Sequence, residues 1–356
     1  MKVENFDELF NFISSSKTED IINEVEKNYN YEVAYQNYKK FRIQDLINNK
    51  KYIPLIWHKY LTKYKIIGKI LEKNFFIKFP NEYFGGRPFE CVFKNLTPAP
   101  YGENSPIPPT FNDATKEIKE HILEYKTIFE NLSDEFSKKT LFTTLLARIF
   151  RDPSLFTKNN VRISKYEPCF DKSLLNFNSN DTVFVDCGGY IGDTVKKFIK
   201  IFHKYKRIYV YEPKKSIFKK LETNLKKYNN IVINNSGVSD KNGKVMFSPD
   251  GGMGGGIFNN NSNQGQYYIT TVTIDDDIRE HISFIKMDIE GEELNALMGA
   301  KMHIVNESPV LAINVYHKLS DIRKCFNYIN QTNPNYKLYL RQYGHSYIKN
   351  VLYAKI

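Results

Sequence analysis

The sequence predicts an α/β fold: a mostly parallel sheet with crossover helices that ends in an antiparallel hairpin, behind a mainly helical N-terminal extension. Three observations predict it. After about residue 180, short apolar runs alternate with amphipathic segments of helical period. These runs do not alternate apolar with polar, so their strands are covered on both faces, as in parallel sheets. The last two strand signals, 336–342 and 347–354, have no helix between them. They are joined by Tyr343-Gly344-His345-Ser346 and should pair antiparallel, with His345 an exposed turn residue.

Residues 1–175 read as the extension and 176–356 as the α/β domain. In the extension, Phe6, Leu9, Phe10, Phe12 and Ile13 recur at helical spacing, as do Ile53, Ile56, Trp57, Tyr60 and Leu61. The stretch 74–113 carries Phe84-Gly85-Gly86-Arg87, Pro98-Ala99-Pro100 and Pro106-Ile107-Pro108-Pro109. Prolines at that density remove backbone donors and fix φ, which makes a loop. Its length points to a binding loop or an interdomain wrap. Helices are expected over 114–131 and 134–150. In the domain, strands are expected at 182–187, 207–212, 231–234, 284–288 and 310–315. Between them fall helices at Thr194–Lys204, from Pro213 onward and at Glu292–Val305. In the second of these, Ile217, Leu221, Leu225 and Tyr228 share one face.

Of the 356 residues, 41% are hydrophobic and 26% charged, the balance of an ordinary soluble globular protein. The 26 Phe and 25 Tyr beside one Trp fit a compositional bias better than a dedicated stacking surface. The net charge of +11 is spread over pairs such as Lys196-Lys197, Lys214-Lys215, Lys219-Lys220 and Lys226-Lys227. Such pairs read as solvated helix faces, and no basic run suggests a nucleic-acid arm. A positive field would still favour encounter with an anionic substrate. Cys91, Cys169, Cys187 and Cys325 are far apart and form no C-x-x-C, which argues against disulfides or a zinc knuckle and fits a cytoplasmic location. The start, Met1 to Asp7, lacks the apolar core of a signal peptide, and no apolar run is long enough for a membrane span.

The strongest local signal is Val185-Asp186-Cys187-Gly188-Gly189-Tyr190-Ile191-Gly192-Asp193-Thr194, which follows a strand and opens a helix. Its glycines allow a sharp turn and close approach of a ligand, and amides at the helix start hold a carboxylate or phosphate. A dinucleotide fingerprint needs a glycine where Tyr190 stands. Asp186 would repel pyrophosphate but suits an ammonium or its water shell. Glu212 ends the next strand, where an acidic residue takes both ribose hydroxyls. Asp186, the loop and Glu212 together predict a nucleoside-type cofactor. The parallel sheet ending in a hairpin is the Rossmann-like arrangement shared by class I methyltransferases.

Over about residues 180–355 the chain resembles the FkbM methyltransferase family. The match rests on VDCGGYIGDT (185–194), YEP (211–213), FIKMDIEGEELNALMGA (284–300), PVLAINVYHK (309–318) and YKLYLRQY (336–343). FIKMDIEGEE is the most specific of these. Part of the extension, 133–180, also resembles what precedes the core in longer members. The resemblance implies S-adenosyl-L-methionine as donor and O-methylation of a sugar, nucleotide-sugar or glycan precursor. It places Asp186, Gly188, Gly189, Tyr190, Gly192, Asp193 and Thr194 around the donor, Glu212 on its ribose, and Val238, within Gly237–Asp240, beside adenine. Asp288 is expected near the methyl group.

Methyl transfer to oxygen is an in-line displacement that needs alignment and, for an alkyl hydroxyl, loss of a proton. Lys286, Asp288 and Glu290 alternate along or just beyond a strand and should face one way. His317, beside Tyr316, is the expected base, with Asp288 positioning the hydroxyl and Lys286 a charge partner. Plainer readings make Asp288 or Glu290 helix caps and His317 a structural histidine. A Mg²⁺ site needs paired acids at two strand ends. Asp288 is the one candidate ligand, since the other strand offers Asn314 and His317, which weakens a metal reading. The segment 250–257 with Asn259–Asn263 reads as a mobile lid or a plain hairpin tip. A nucleic-acid methyltransferase is the nearest rival, but Met287-Asp288-Ile289-Glu290 stands where its N/D-P-P-Y/F motif belongs. A catalytically silent interaction protein is a second rival. A homo-oligomer is compatible with the sequence.

Overall fold

The computed structural model describes residues 3–28, 111–150, 152, 155–161, 163, 168–177, 179–248, 256–257, 267–343, 347 and 349–356. The expected helix around 53–61, the Phe84–Arg87 and Pro98–Pro109 segments, the 250–255 and 259–263 parts of the expected lid, and His345 lie outside the described residues.

The extension supplies α1 (Phe6–Ser15), α2 (Thr18–Asn28), α3 (Phe111–Glu120), α4 (Ile122–Asn131), α5 (Glu135–Phe150) and the short α6 (Leu155–Lys158). The helix expected over 114–131 is interrupted at His121, giving α3 and α4. In the domain, β1 (Val183–Cys187), α7 (Asp193–Phe202), β2 (Arg207–Tyr211), α8 (Lys215–Leu225) and β3 (Ile231–Asn234) follow in order. Then come β4 (Gly237–Val238), β5 (Gly243–Ser248), β6 (Gly256–Ile257), β7 (Tyr267–Val272) and α9 (Ile274–Asp277). The chain closes with β8 (Phe284–Met287), α10 (Glu293–Met298), α11 (Lys301–Asn306), β9 (Val310–Asn314), α12 (Asp321–Thr332), β10 (Lys337–Gln342) and β11 (Asn350–Lys355).

The main sheet has the order β10-β11-β9-β8-β1-β2-β3. Its five strands from β9 to β3 are parallel, and β11 pairs antiparallel with both β9 and β10. The predicted terminal hairpin is therefore present. The expected helix Glu292–Val305 is instead split into α10 and α11 by a turn at Gly299-Ala300. Two features lie beyond the sequence expectations. One is α12, whose Ile322, Cys325, Phe326 and Ile329 face inward. The other is a second sheet of order β4-β7-β5-β6.

Period-two alternation assigns the two faces of the main sheet. Phe184 and Phe284 are register partners on one face, their rings stacked 5.0 Å apart and packed with Phe198 of α7. Val185, Cys187, Ile285 and Met287 face the other way, into a core that runs continuously into α1–α5 of the extension. The extension is thus packed into the same apolar core as the sheet. It is also pinned by charge. Arg341 of β10, 5% exposed, reaches Asp134 at 2.6 Å, and Asp134 accepts the Ser137 amide at the start of α5. Arg323 of α12 pairs with Glu117 and Glu124. Arg148, buried in α5, donates to the carbonyl of Leu319 at 3.1 Å.

Asp134→Ala removes a helix cap and leaves the Arg341 guanidinium with the more distant Asp171 at 3.6 Å as its carboxylate partner. We expect a loss of about 1–3 kcal/mol, from the cap and the weakened buried pair together, read as a lower denaturant midpoint with an unchanged slope. An unchanged midpoint would show that the extension is not fastened to the sheet through this pair.

Candidate active site

The site forms at the carboxyl ends of the parallel strands, where the crossover loops of an open sheet leave a crevice. Its base is a cross-strand charge pair. Asp186 of β1 and Lys286 of β8 are register partners, one pleat beyond the Phe184–Phe284 stack. Lys286 Nζ donates to Asp186 Oδ1 at 2.9 Å and to the carbonyls of Gly188 and Cys187 at 3.1 and 3.3 Å. Burial raises the Asp186 carboxyl to about 6 despite Lys286. Lys286 keeps its charge: burial opposes it, but Asp186 and Asp288 hold its ammonium above the usual range. Asp186 Oδ2 is buried without a hydrogen-bond partner.

The glycine loop folds across the end of β2, where the amides of Gly188 and Gly189 both donate to the carbonyl of Tyr211. Gly188 has φ +84°, and a Cβ there would stand 2.1 Å from the carbonyl oxygen of Asp288. Only glycine lets the loop lie against the end of β8 in this way. Tyr190 follows in the left-handed region and is 43% exposed. Its amide donates to Glu212 Oε2 at 3.1 Å, while the Lys214 amide donates to Oε1 at 2.8 Å. Both oxygens of Glu212 are oriented by backbone, and burial nonetheless raises its carboxyl to about 7.

Gly188, Tyr190, Asp193, Thr194, Glu212, Val238, Lys286 and Asp288 line one cleft. Of the residues expected around a cofactor, Asp186 lies beneath it, and Gly189 and Gly192 shape the turn without lining it. Phe247 and Ile269 of the second sheet also line the cleft, as do Ser236, Tyr316 and Lys349. The sequence reading named none of these as wall residues except by setting Tyr316 beside His317. The alternation of β5 and β7 was the available signal for Phe247 and Ile269.

At the far end, the expected alternation stops at Met287. Glu290 and Gly291 take φ of +59° and +100°, yet Lys286, Asp288 and Glu290 all line the same cleft. Asp288 is half-buried. Its Oδ1 accepts from the Tyr316 hydroxyl at 3.1 Å and lies 3.3 Å from His317 Nε2, and Lys349 Nζ approaches Oδ2 at 3.9 Å. Burial opposes the charge of Asp288, yet Lys349, His317 and Lys286 hold its carboxyl well below the usual range. His317 is 1% exposed. Its Nε2 also faces Glu290 at 3.8 Å, and Nδ1 faces the buried Glu293 at 3.0 Å. Against the cost of burial, Glu293, Asp288 and Glu290 hold this imidazole well above its usual range. A charged imidazole behind Asp288 has no lone pair to take a proton, so the base role expected of His317 does not suit this geometry. Nor is Asp288 the lone candidate metal ligand, because Glu293 and His317 place ligand atoms within 4.8 Å of its own and of each other.

Residues 186–347 match the family model described as the methyltransferase FkbM domain. Over those residues the chain is similar to FkbM methyltransferases. The crystal structure of FkbM methyltransferase from Methylobacillus flagellatus is 27% identical with a TM-score of 0.60, over 69% of this chain and 62% of that one. The chain therefore spans less than two thirds of that relative. More remote likenesses include an rRNA methylase from Streptococcus thermophilus, 13% identical with a TM-score of 0.34 over 50% of this chain and 89% of that one. Another is Aeropyrum pernix fibrillarin with bound S-adenosyl-L-methionine, 12% identical with a TM-score of 0.33 over 51% and 68%. No curated protein matches the chain. Among the described residues no helix is long and apolar enough to cross a membrane.

Glu212 gives the α/β domain a pH signature. Its folded carboxyl titrates near 7 against an ordinary value near 4.5, so the folded state holds the proton more tightly than the unfolded chain. Stability should fall as pH rises through that window. Glu212→Gln should remove this contribution: between about pH 4.5 and 7.5 the wild type loses about 2–3 kcal/mol more than the variant. Equal losses in chemical denaturation would show that Glu212 titrates normally.

Proposed function

We propose that this protein is an S-adenosyl-L-methionine-dependent O-methyltransferase acting on a hydroxyl of a sugar, nucleotide-sugar or related glycan precursor. One observation carries the reading: the glycine loop, Glu212 and Asp288 open onto a single cleft at the strand ends. The donor, when bound, supplies a methyl group made electrophilic by its sulfonium. The cleft suits its other parts. Glu212 spends one lone pair of each oxygen on a backbone amide and keeps the others for two vicinal hydroxyls. Phe247, Ile269 and Val238 form an apolar wall suited to a flat base. The unpartnered Oδ2 of Asp186 suits an ammonium or its water shell.

The acceptor end is set by Asp288, Tyr316 and Lys349. Lys349 Nζ lies 3.3 Å from the Tyr316 hydroxyl, so all three polar groups converge on one point of the cleft. Asp288 accepts a hydrogen bond from the acceptor hydroxyl and fixes a lone pair of its oxygen on the line of transfer. Held as a firm anion by its cationic neighbours, Asp288 is a weak base toward a free alcohol. It suffices, because an oxygen that gains a bond to methyl becomes strongly acidic and gives up its proton late. His317 and Lys349 fix the orientation of the carboxylate. Polar groups for a hydroxylated acceptor, beside the overall positive charge, favour a sugar bearing an anionic group.

Incubation with the donor and pools of nucleotide-sugars and oligosaccharides should yield an acceptor heavier by one methylene unit, seen by mass spectrometry. In the same assay Asp288→Asn should lower kcat by about 100-fold with donor binding intact. Glu212→Ala should instead weaken donor binding by about 2 kcal/mol in calorimetry. Wild-type protein that binds no donor would overturn the proposed function. Asp288→Asn with undiminished kcat would remove Asp288 from the mechanism.

A further inference from the structure

Behind Asp288 lies a set of charges that its part in orienting a hydroxyl does not explain. Three carboxylates, Asp288, Glu290 and Glu293, converge on the one imidazole of His317, at 3.3, 3.8 and 3.0 Å. Of the nearby cations, Lys286 is paired with Asp186 and Lys318 with Glu292 at 3.6 Å, which leaves Lys349, 3.9 Å from Asp288, as the lysine facing the cluster. A fourth carboxyl, Asp321, is 5% exposed, and burial together with Glu293 raises it to about 7. Excess negative charge of this kind is costly to bury unless a cation or protons compensate it.

A second, independent observation concerns hydrogen bonds. Glu293 is fully buried and its Oε2 has no partner. Its Oε1, which accepts the Ile289 amide, meets His317 Nδ1 at 3.0 Å off hydrogen-bond alignment, so Nδ1 also lacks a hydrogen bond. Ligand atoms of Asp288, Glu293 and His317 lie within 4.8 Å of one another. The backbone contributes too. Glu290 occupies the left-handed region, a conformation that non-glycine residues hold at a cost and that concentrates at functional sites.

We propose that Asp288, Glu290 and His317 form a binding site for a divalent transition-metal ion, with Glu293 as the carboxylate that orients the imidazole from behind. The division of labour follows from the ring. Nε2 faces Asp288 and Glu290, and slight closure of these distances brings three ligand atoms around one ion at bond lengths of about 2.1 Å. Nδ1 faces Glu293, the pairing that fixes the tautomer of a metal-bound histidine. An imidazole among carboxylates favours a first-row transition ion over Mg²⁺ or Ca²⁺. Ion binding displaces one proton from His317. Lys349, whose side chain is 36% exposed, has room to swing away from Asp288 as the ion enters. Asp288 and Glu290 line the cleft, which gives the ion a route in and an open face toward an acceptor oxygen.

The site shares Asp288 with the proposed reaction, but ion binding is measured without donor or acceptor and so is tested separately from it. Full-length protein, cleared of metal by chelator and dialysis, is titrated with Mn²⁺ and the free ion is followed by electron paramagnetic resonance. We expect one Mn²⁺ per chain. Glu290→Gln and His317→Gln should each weaken binding by at least about 10-fold, and Glu293→Gln by about 10-fold as an outer-shell change. Pulsed measurements on the wild-type complex should show coupling to one imidazole nitrogen, a readout independent of how well the variants fold. Absence of Mn²⁺ binding, binding without nitrogen coupling, or variants that fold and bind as tightly as wild type would each overturn the proposal.

Discussion

Lys286 and Asp186 meet where the sheet ends and its loops begin, and the rest of the cleft takes its position from that contact. Burying an ammonium and a carboxylate costs several kcal/mol per ion, offset only when geometry and hydrogen bonding are good. Here the ammonium has three acceptors for its three N–H groups: Asp186 Oδ1, the Cys187 carbonyl and the Gly188 carbonyl. One side chain on β8 thereby ties down the end of β1 and the first residue of the glycine loop. Gly188 can then pass so close to the Asp288 carbonyl that no side chain fits between them. The donor-side loop and the acceptor-side carboxylate are registered against each other through backbone contact, which movable side chains alone would not achieve.

The extension supports the same geometry from the opposite side. Its helices fill the core beneath β9, β10 and β11, and its charges reach the segment that carries Tyr316 and His317. Arg148 grips the Leu319 carbonyl, and Asp321, at the start of α12, accepts the Lys318 amide at 2.7 Å. Arg323, one turn along α12, is held by Glu117 and Glu124. The α12 end of the loop between β9 and α12 is therefore fixed by contacts from the extension. This gives the extension a physical role in the site even where it does not line the cleft.

Much of this was legible in the sequence, for reasons of local physics. Apolar runs with intervening amphipathic helices specify buried parallel strands, and the main sheet has them where 183–187, 207–211, 231–234, 284–287 and 310–314 were expected to within a residue or so. The glycine loop and Glu212 were readable because their chemistry is carried by spacing within one chain segment. The second sheet was harder to see, since β4 and β6 have two residues each and the six-residue β5 and β7 mix buried with exposed positions instead of forming apolar runs. Lys286 offered only a choice of partners, because its pairing with Asp186 spans 100 residues and depends on strand order. Glu290 reaches the cleft beside Lys286 and Asp288 as expected, but through a left-handed turn at Glu290-Gly291 rather than by continued strand alternation. His317 invited a base assignment because a free imidazole titrates near neutrality. Its three carboxylate neighbours come from the turn just after β8 and the start of α10, which strand order brings beside the end of β9, and they hold its charge.

The acceptor end is organised around groups driven away from neutral titration. Asp288 is pushed down, His317 up, and burial with nearby Asp288 and Glu290 pushes the Tyr316 phenol up as well. General acid–base catalysis at neutral pH is most efficient with a group whose pKa lies near the working pH, and these three residues are tuned the opposite way. Such tuning suits a reaction whose main barrier is alignment. Charges that do not titrate hold fixed directions, and fixed directions are what an in-line displacement draws on. The same firmness explains how one cluster can serve two purposes. With a proton on His317, the imidazolium and Lys349 set the carboxylate of Asp288 against a hydroxyl. With a divalent ion in place of that proton, the same three ligands would hold a stronger positive charge at the same spot, and Glu293 would keep the ring in register in both cases.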